Sequence, residues 1–251
     1  MQKVVSREEW LVARKALLAR EKKLTHLRDE LSAERRNLPR VAIDKPYAFE
    51  GPDGKETLAE LFGSHSQLLV YHFMFDPKWV EGCPSCSYVM DHVDGALVHL
   101  AARDVTFVAV SRAPLEKILA FKKRMGWKFK WVSSYGTDFN YDFHVTTDDA
   151  VAPVEYNYRD MAALEKAGQP YHMQGEQPGL SSFEKKDGRV CHVYSTYGRG
   201  LDMLVGTYNY LDLAPRGRDE DKLNFTMEWL RHHDRYGDVT AEKTGPKTKA
   251  S

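Results

Sequence analysis

The sequence has only three cysteines in 251 residues, Cys83, Cys86 and Cys191. That is too few for the disulfide framework of a small secreted scaffold. It also lacks an excess of charge, since 36 Lys and Arg balance 36 Asp and Glu. With no field of one sign, neither nucleic acid nor an anionic membrane is favoured as a partner. No apolar run approaches the roughly 18 residues of a membrane span, and the opening Met1-Gln2-Lys3-Val4-Val5-Ser6-Arg7-Glu8-Glu9 has no apolar signal-peptide core. Export is not expected; cytoplasmic residence is. There is no second C-x-x-C, no H-x₃₋₅-H pair and no internal repeat. These absences argue against a closed four-ligand zinc site and a repeat architecture.

What is present reads as a folded core, with 42% apolar residues of which many are aromatic. The chain is long enough for one large domain with additions. It is organised around Glu81-Gly82-Cys83-Pro84-Ser85-Cys86-Ser87. An unbroken apolar run, Leu68 to Phe75, precedes this stretch, and a helical pattern of Val89, Val93, Ala96 and Leu100 follows it. Two cysteines separated by two residues at a strand-to-helix junction form a thiol–disulfide redox arrangement. Cys83, at the helix start, faces unpaired N–H groups and the positive end of the dipole, which favour its thiolate. It is the expected nucleophile, and Cys86, one turn on, the resolving thiol. Pro84 suits the first turn, where its missing N–H costs little.

Before this centre, Ser6 and Glu9 form a capping box that opens a helix to about Asn37. Trp10, Leu17, Leu24, Leu31 and Leu38 recur every seven residues along it, giving a narrow apolar stripe. This arm (1–40) either lies across its own domain or joins two subunits as a homodimer. The run 68–75, without alternation, is the signature of a strand buried on both faces of a parallel sheet. A helix over 84–102, a second buried strand at 104–110 and a helix from Pro114 to about Gly126 continue a β-α-β-α order with a parallel core.

Residues 127–144 are dense in aromatics, as either a small core of their own or one wall of a substrate pocket. An insertion spans about 136–178, with a short helix over Met161–Lys166. Strands around 179–183 and 189–195, joined by Lys186-Asp187-Gly188, form a hairpin. The domain is expected to end near 215, followed by a helix over about 219–233 and a disordered tail to 251.

The order of elements around Cys83-Pro84-Ser85-Cys86 resembles the thioredoxin-like fold. More specifically, the chain resembles the bacterial family catalogued as domain of unknown function 899. The stretches that carry the likeness are Glu81 to Ser87, Val110-Ser111-Arg112-Ala113-Pro114, Arg124-Met125-Gly126-Trp127, Asp138 to Phe143, and Tyr194 to Gly200. The resemblance implies an α/β thioredoxin-like domain with a central mixed sheet, an N-terminal helical arm and a C-terminal helix. It also implies a dithiol–disulfide oxidoreductase. Ordinary thioredoxins carry a cis-proline opposite the redox pair; here that place falls near Gly179-Leu180-Ser181, with Pro178 early.

The expected activity is therefore thiol–disulfide exchange on a small molecule or specific partner, with Cys83 and Cys86 catalytic and no cofactor. Partners would be a thiol reductant or a disulfide substrate. Substrate contacts are expected from Trp79, Pro84 and Ser85 around the motif, from Arg112 at a strand end, and from the aromatics Trp131 and Phe139. The same cysteines suit a thiol peroxidase passing through a sulfenic acid. A copper or zinc site would need histidine from among His72, His92, His99 and His144. A non-catalytic interaction module is the remaining reading. His72, inside the buried strand, reads first as a core histidine, and Cys191 as a small buried residue.

Overall fold

The computed structural model describes residues 3–237. The tail expected to be disordered lies largely outside them. The chain divides into two compact units, with the boundary after Val41. The first is built on one helix, α1 (Arg7–Arg36), and the capping box forms as expected. Ser6 Oγ accepts from the Glu9 N–H at 3.1 Å, and the Glu9 carboxylate accepts from the Ser6 N–H at 3.0 Å. Glu8 and Glu9 in the first turn and Arg35 and Arg36 in the last complement the helix dipole. The stripe is solvent-exposed along its length, Trp10 at 51% and Leu24 at 67%.

The second unit is a mixed sheet covered on both faces. Its strands are β1 (Ala48–Gly51), β2 (Gly54–Thr57), β3 (Gln67–His72), β4 (Val105–Ser111), β5 (Lys130–Ser133), β6 (Gly179–Lys186) and β7 (Arg189–Tyr197). They run in the spatial order β7-β6-β3-β4-β5-β1-β2. β3, β4 and β5 are parallel neighbours, and β6 joins β3 antiparallel. Two β-α-β crossovers followed by an antiparallel hairpin on the other side of the first strand make this a thioredoxin-like fold.

The reason β3 reads as an unbroken apolar run is now explicit. Leu68 and Val70 enter one core with Phe62, Val108 and Phe139. Tyr71, with Phe73 and Phe75 beyond the strand end, enters the other with Cys86, Phe121 and Trp131. Burying such a side chain contributes on the order of 2 kcal/mol, so a strand that supplies both cores fixes the register of its neighbours. His72 is a core histidine, stacked on Phe143 with ring centroids 5.8 Å apart and bonded through Nε2 to Ser181 Oγ at 2.8 Å. Burial holds it down to about 3, so it is neutral. In the β6–β7 turn, Asp187 and Gly188 both take positive φ, 52° and 76°, as a two-residue hairpin turn requires.

Two expected helices take a different form. The helix over 84–102 is split into α2 (Pro84–Met90) and α3 (Leu97–Ala101). Asp94 interrupts it, because its carboxylate accepts the backbone N–H groups of Lys128 (2.9 Å) and Phe129 (3.0 Å) and so is pinned beside β5. α4 (Leu115–Met125) ends as expected, on Gly126 at φ 70°. The aromatic loop contains a single turn, α5 (Phe139–Asp142), and α6 (Met161–Lys166) forms where the sequence placed it.

After α7 (Gly206–Leu213) the chain does not form a helix over 219–233, contrary to expectation. The Glu220 carboxylate gathers this segment into turns. It accepts from Tyr208 OH (2.8 Å), Trp229 Nε1 (2.6 Å) and the Met227 N–H (3.2 Å), bonds that a continuous helix would break.

Replacing Glu220 by Ala therefore leaves a buried phenol and an indole without their acceptor. The expected cost is about 2 kcal/mol in denaturant unfolding, with a red shift of tryptophan emission as Trp229 loosens. An unchanged midpoint and spectrum would show that the segment is held by packing alone.

Candidate active site

β3 delivers the chain to the loop that carries Cys83 and Cys86, and several anchors hold that loop in place. The Cys83 N–H donates to Met74 O at 3.1 Å, tying the loop to the strand end. Gly82 sits against two rings. A Cβ there would lie 2.6 Å from Phe73 and 2.8 Å from Phe121, so only glycine fits. Its carbonyl bonds to buried His232 Nε2 at 2.9 Å. Glu81 accepts from Arg124 at 2.7 Å and from Arg235, and Arg124 also binds Asp234 at 2.8 Å. The C-terminal segment expected to be a helix is thus a strap over the loop that carries the cysteines.

Cys83 is the cap residue of α2 and Pro84 its first residue, as the sequence indicated. Cys83 is partly exposed and Cys86 is buried at 1%; both are free thiols. What lowers Cys83 is chiefly hydrogen bonding with the Cys86 thiol, with smaller contributions from the Cys86 and Ser85 backbone N–H groups and the Ser85 hydroxyl. Together these outweigh burial and bring Cys83 down to about 7 from an ordinary 9.0. Burial pushes Cys86 the other way, well above the ordinary thiol range. The two neighbouring sulfurs are thus shifted in opposite directions.

Beside Cys86 lies a cavity of about 1070 Å³, whose lining does not include Cys83. Tyr71, Ser85 and Cys86 line it from the redox side, and Tyr156, Pro178 and Tyr208 from elsewhere in the chain. Of the expected substrate contacts, only Ser85 belongs to this lining. Trp131 is fully buried, its indole donating to Ser111 Oγ at 3.0 Å among Phe73, Phe75 and Phe121. Phe139 is fully buried in the other core, edge-on to Tyr47 and Phe49. Neither can meet a substrate, which corrects both assignments and makes these two aromatics core, while Tyr135 of the same segment is exposed. Arg112 is committed to Glu176 at 2.9 Å and stacks over Tyr141. Trp79 is 39% exposed just ahead of the loop, outside the cavity lining.

Pro178 ends immediately before β6, whose Gly179 pairs with His72, and it lines the cavity; its peptide bond is trans. Its carbonyl accepts from Tyr156 OH at 2.9 Å. The tyrosines and arginines contributed by residues 156–218 were not foreseen, because they are scattered singly and follow no period.

The histidines offered for a metal are dispersed. His92 accepts from the Thr207 N–H and approaches its hydroxyl at 2.9 Å, His144 lies 3.9 Å from Glu155, and His72 faces the core containing Phe139. Among the described residues no group of three His, Cys, Asp or Glu side chains is placed to hold an ion. Cys191 pairs across the hairpin with Glu184, which pairs in turn with Gln67 at the start of β3. That is the opposite end of the strand from the redox loop, about 20 Å away at the usual rise.

The family described as "Bacterial protein of unknown function (DUF899)" matches residues 1–236. The chain belongs to that family. No curated protein matches it. Among solved structures, a mutant of PrxQ from Xylella fastidiosa is 13% identical, covering 69% of this chain and 95% of its own, with a TM-score of 0.46. The mitochondrial 2-Cys peroxiredoxin of Plasmodium falciparum is also 13% identical, covering 70% and 96% at a TM-score of 0.42. Peroxidoxin BcpB of Mycobacterium tuberculosis is 12% identical, covering 69% and 96% at 0.39. Likenesses this slight carry no argument about the chemistry of this family member. No helix among the described residues is long and apolar enough to cross a membrane.

Two outcomes follow from the charges. Alkylation of Cys83 should rise through a midpoint near pH 7, followed by mass spectrometry; a midpoint near 9 would mean that the donors do not hold the thiolate. Glu176, with only 1% of its side chain exposed, is raised to about 7 by burial, against the opposing pull of Arg112 and Thr146. The folded state therefore binds this proton more tightly than the unfolded chain does. Stability from the group is full below about pH 4.5 and is lost as pH rises towards 7. In urea titrations wild type should lose stability relative to Glu176→Gln across that interval. A constant difference would show that Glu176 is ionised throughout.

Proposed function

We propose that this protein is a dithiol–disulfide oxidoreductase acting on small disulfides. The observation that carries the proposal is the asymmetric pair of sulfurs, Cys83 partly exposed at the start of α2 and lowered towards thiolate, Cys86 buried, pushed up and on the wall of an open cavity. A cavity of this size is in the range that encloses small molecules, which supports a small substrate over an extended polypeptide.

In the forward direction the Cys83 thiolate attacks one sulfur of the substrate disulfide and expels the other as a thiolate. Cys86 then gives up its proton and attacks Cys83. The second substrate sulfur leaves, and the Cys83–Cys86 disulfide remains. The substrate gains two electrons and the protein loses two, to be restored by a thiol reductant.

The test is a pair of serine variants assayed against small disulfides with a dithiol reductant. Cys83→Ser should abolish turnover. Cys86→Ser should accumulate a mixed disulfide on Cys83, visible as an added substrate mass, with turnover down by at least about a hundredfold. Turnover that survives in Cys83→Ser would overturn the proposal. If wild type consumes peroxide and leaves disulfides untouched, the same residues serve a peroxidase in which Cys86 condenses with a Cys83 sulfenic acid and releases water.

A further inference from the structure

The ladder of β3 ends at His72, and beyond it the backbone groups go to other partners. The Phe73 N–H still donates to Val110 O of β4, at 2.9 Å. Met74 is the next residue, and among the described residues no carbonyl takes its N–H. That N–H donates instead to the Cys86 sulfur, at 3.4 Å. The Met74 carbonyl accepts from the Cys83 N–H at 3.1 Å. One residue past the strand therefore holds the main chain of the first cysteine and the sulfur of the second. The second is the one that needs help. Cys86 is 1% exposed in a core with Phe73, Phe75 and Trp131, where a bare thiolate is disfavoured.

From the Met74 N–H seated on the Cys86 sulfur, we infer that this backbone group is the donor that stabilises Cys86 as it becomes a thiolate in the second step. This rests on the dithiol reading above. A protonated thiol is a weak acceptor and a charged sulfur a strong one. The bond tightens as charge develops, so it favours the reacting state over the resting one. The donor is also fixed beforehand, because the Phe73 N–H is tied to β4 and the Met74 carbonyl to Cys83. The titrating groups around this sulfur are Cys83, Tyr71 and Tyr156. Burial raises both phenols, so neither supplies charge. The proton lost by Cys86 passes to the departing substrate thiolate as the Cys83–Cys86 bond forms and the bond to substrate breaks. In the reverse direction, a reductant thiolate that opens the disulfide at Cys83 expels Cys86 as a thiolate onto the same N–H. Attack by Cys83 in the first step does not draw on it.

The test replaces that N–H by oxygen. In the full chain Met74 is exchanged for its α-hydroxy acid by nonsense suppression, which turns one amide into an ester and leaves every side chain in place. In a Cys191→Ser background, reduced protein is mixed with a coloured aryl disulfide in stopped flow. The first aryl thiol released reports attack by Cys83, and the second reports resolution by Cys86. Losing a hydrogen bond to a charged sulfur should slow the second release about ten- to a hundredfold and leave the first within about twofold. With Cys83→Ser added, alkylation of Cys86 by a small reagent at fixed pH should fall by about tenfold or more, a readout independent of turnover. An ester carbonyl is also a poorer acceptor, and the Phe73 carbonyl it alters takes the Ser111 hydroxyl at 2.7 Å. Ser111→Ala removes that bond but keeps the N–H, so both rates should stay unchanged. An effect equal to that of the ester would overturn the inference, as would an ester protein that resolves and alkylates like its amide parent. Either result leaves the dithiol reading standing. If the amide protein releases only one aryl thiol, the dithiol reading falls and this inference with it.

Discussion

The pairing of two sulfurs of unequal burial is the constraint on which the rest of this structure converges. Cys86 is held in the core and pushed up by burial, while Cys83, partly exposed at the start of α2, is lowered chiefly through its neighbour. Neither half works alone. Without its buried neighbour Cys83 would be an ordinary surface thiol, and without an anionic partner Cys86 would be an inert core cysteine. The surrounding architecture fixes their relative position. β3 ends beneath the loop, the Cys83 N–H anchors to Met74 O, and the strap ending in His232, Asp234 and Arg235 closes over it.

This explains why the two cores differ in character. The one shared by Tyr71, Phe73, Phe121 and Trp131 surrounds the thiols with rings, which lowers the local polarity and strengthens each hydrogen bond made there. The other, around Phe139 and Phe143, contains His72 in a chain of hydroxyls through Ser181 and Ser195 to His192. That network fixes the hairpin against β3 and lies away from the sulfurs. Folding energy and chemistry are thus divided between the faces of one strand, and β3 serves both.

Much of this could be read in the order of residues, for physical reasons that are local. The capping box at Ser6, the double-sided run of β3, the Asp187-Gly188 turn, α6 and the strand–loop–helix setting of Cys83 each depend on neighbours in sequence. The misreadings share the opposite property. The break at Asp94 depends on Lys128 and Phe129, and the strap depends on Glu220 meeting Tyr208 and Trp229. Trp131 and Phe139 look alike as exposed or buried aromatics until the sheet brings Phe75 and Phe49 onto them. The cavity was the least visible feature, because its lining is drawn from single residues separated by more than half the chain.

The close seating of Gly82 between Phe73 and Phe121 has a further consequence. With rings on one side, His232 on its carbonyl and the next amide tied to Met74, the backbone before the first sulfur has no slack. In the proposed exchange, the two sulfurs would have to meet by side-chain rotation within a fixed frame.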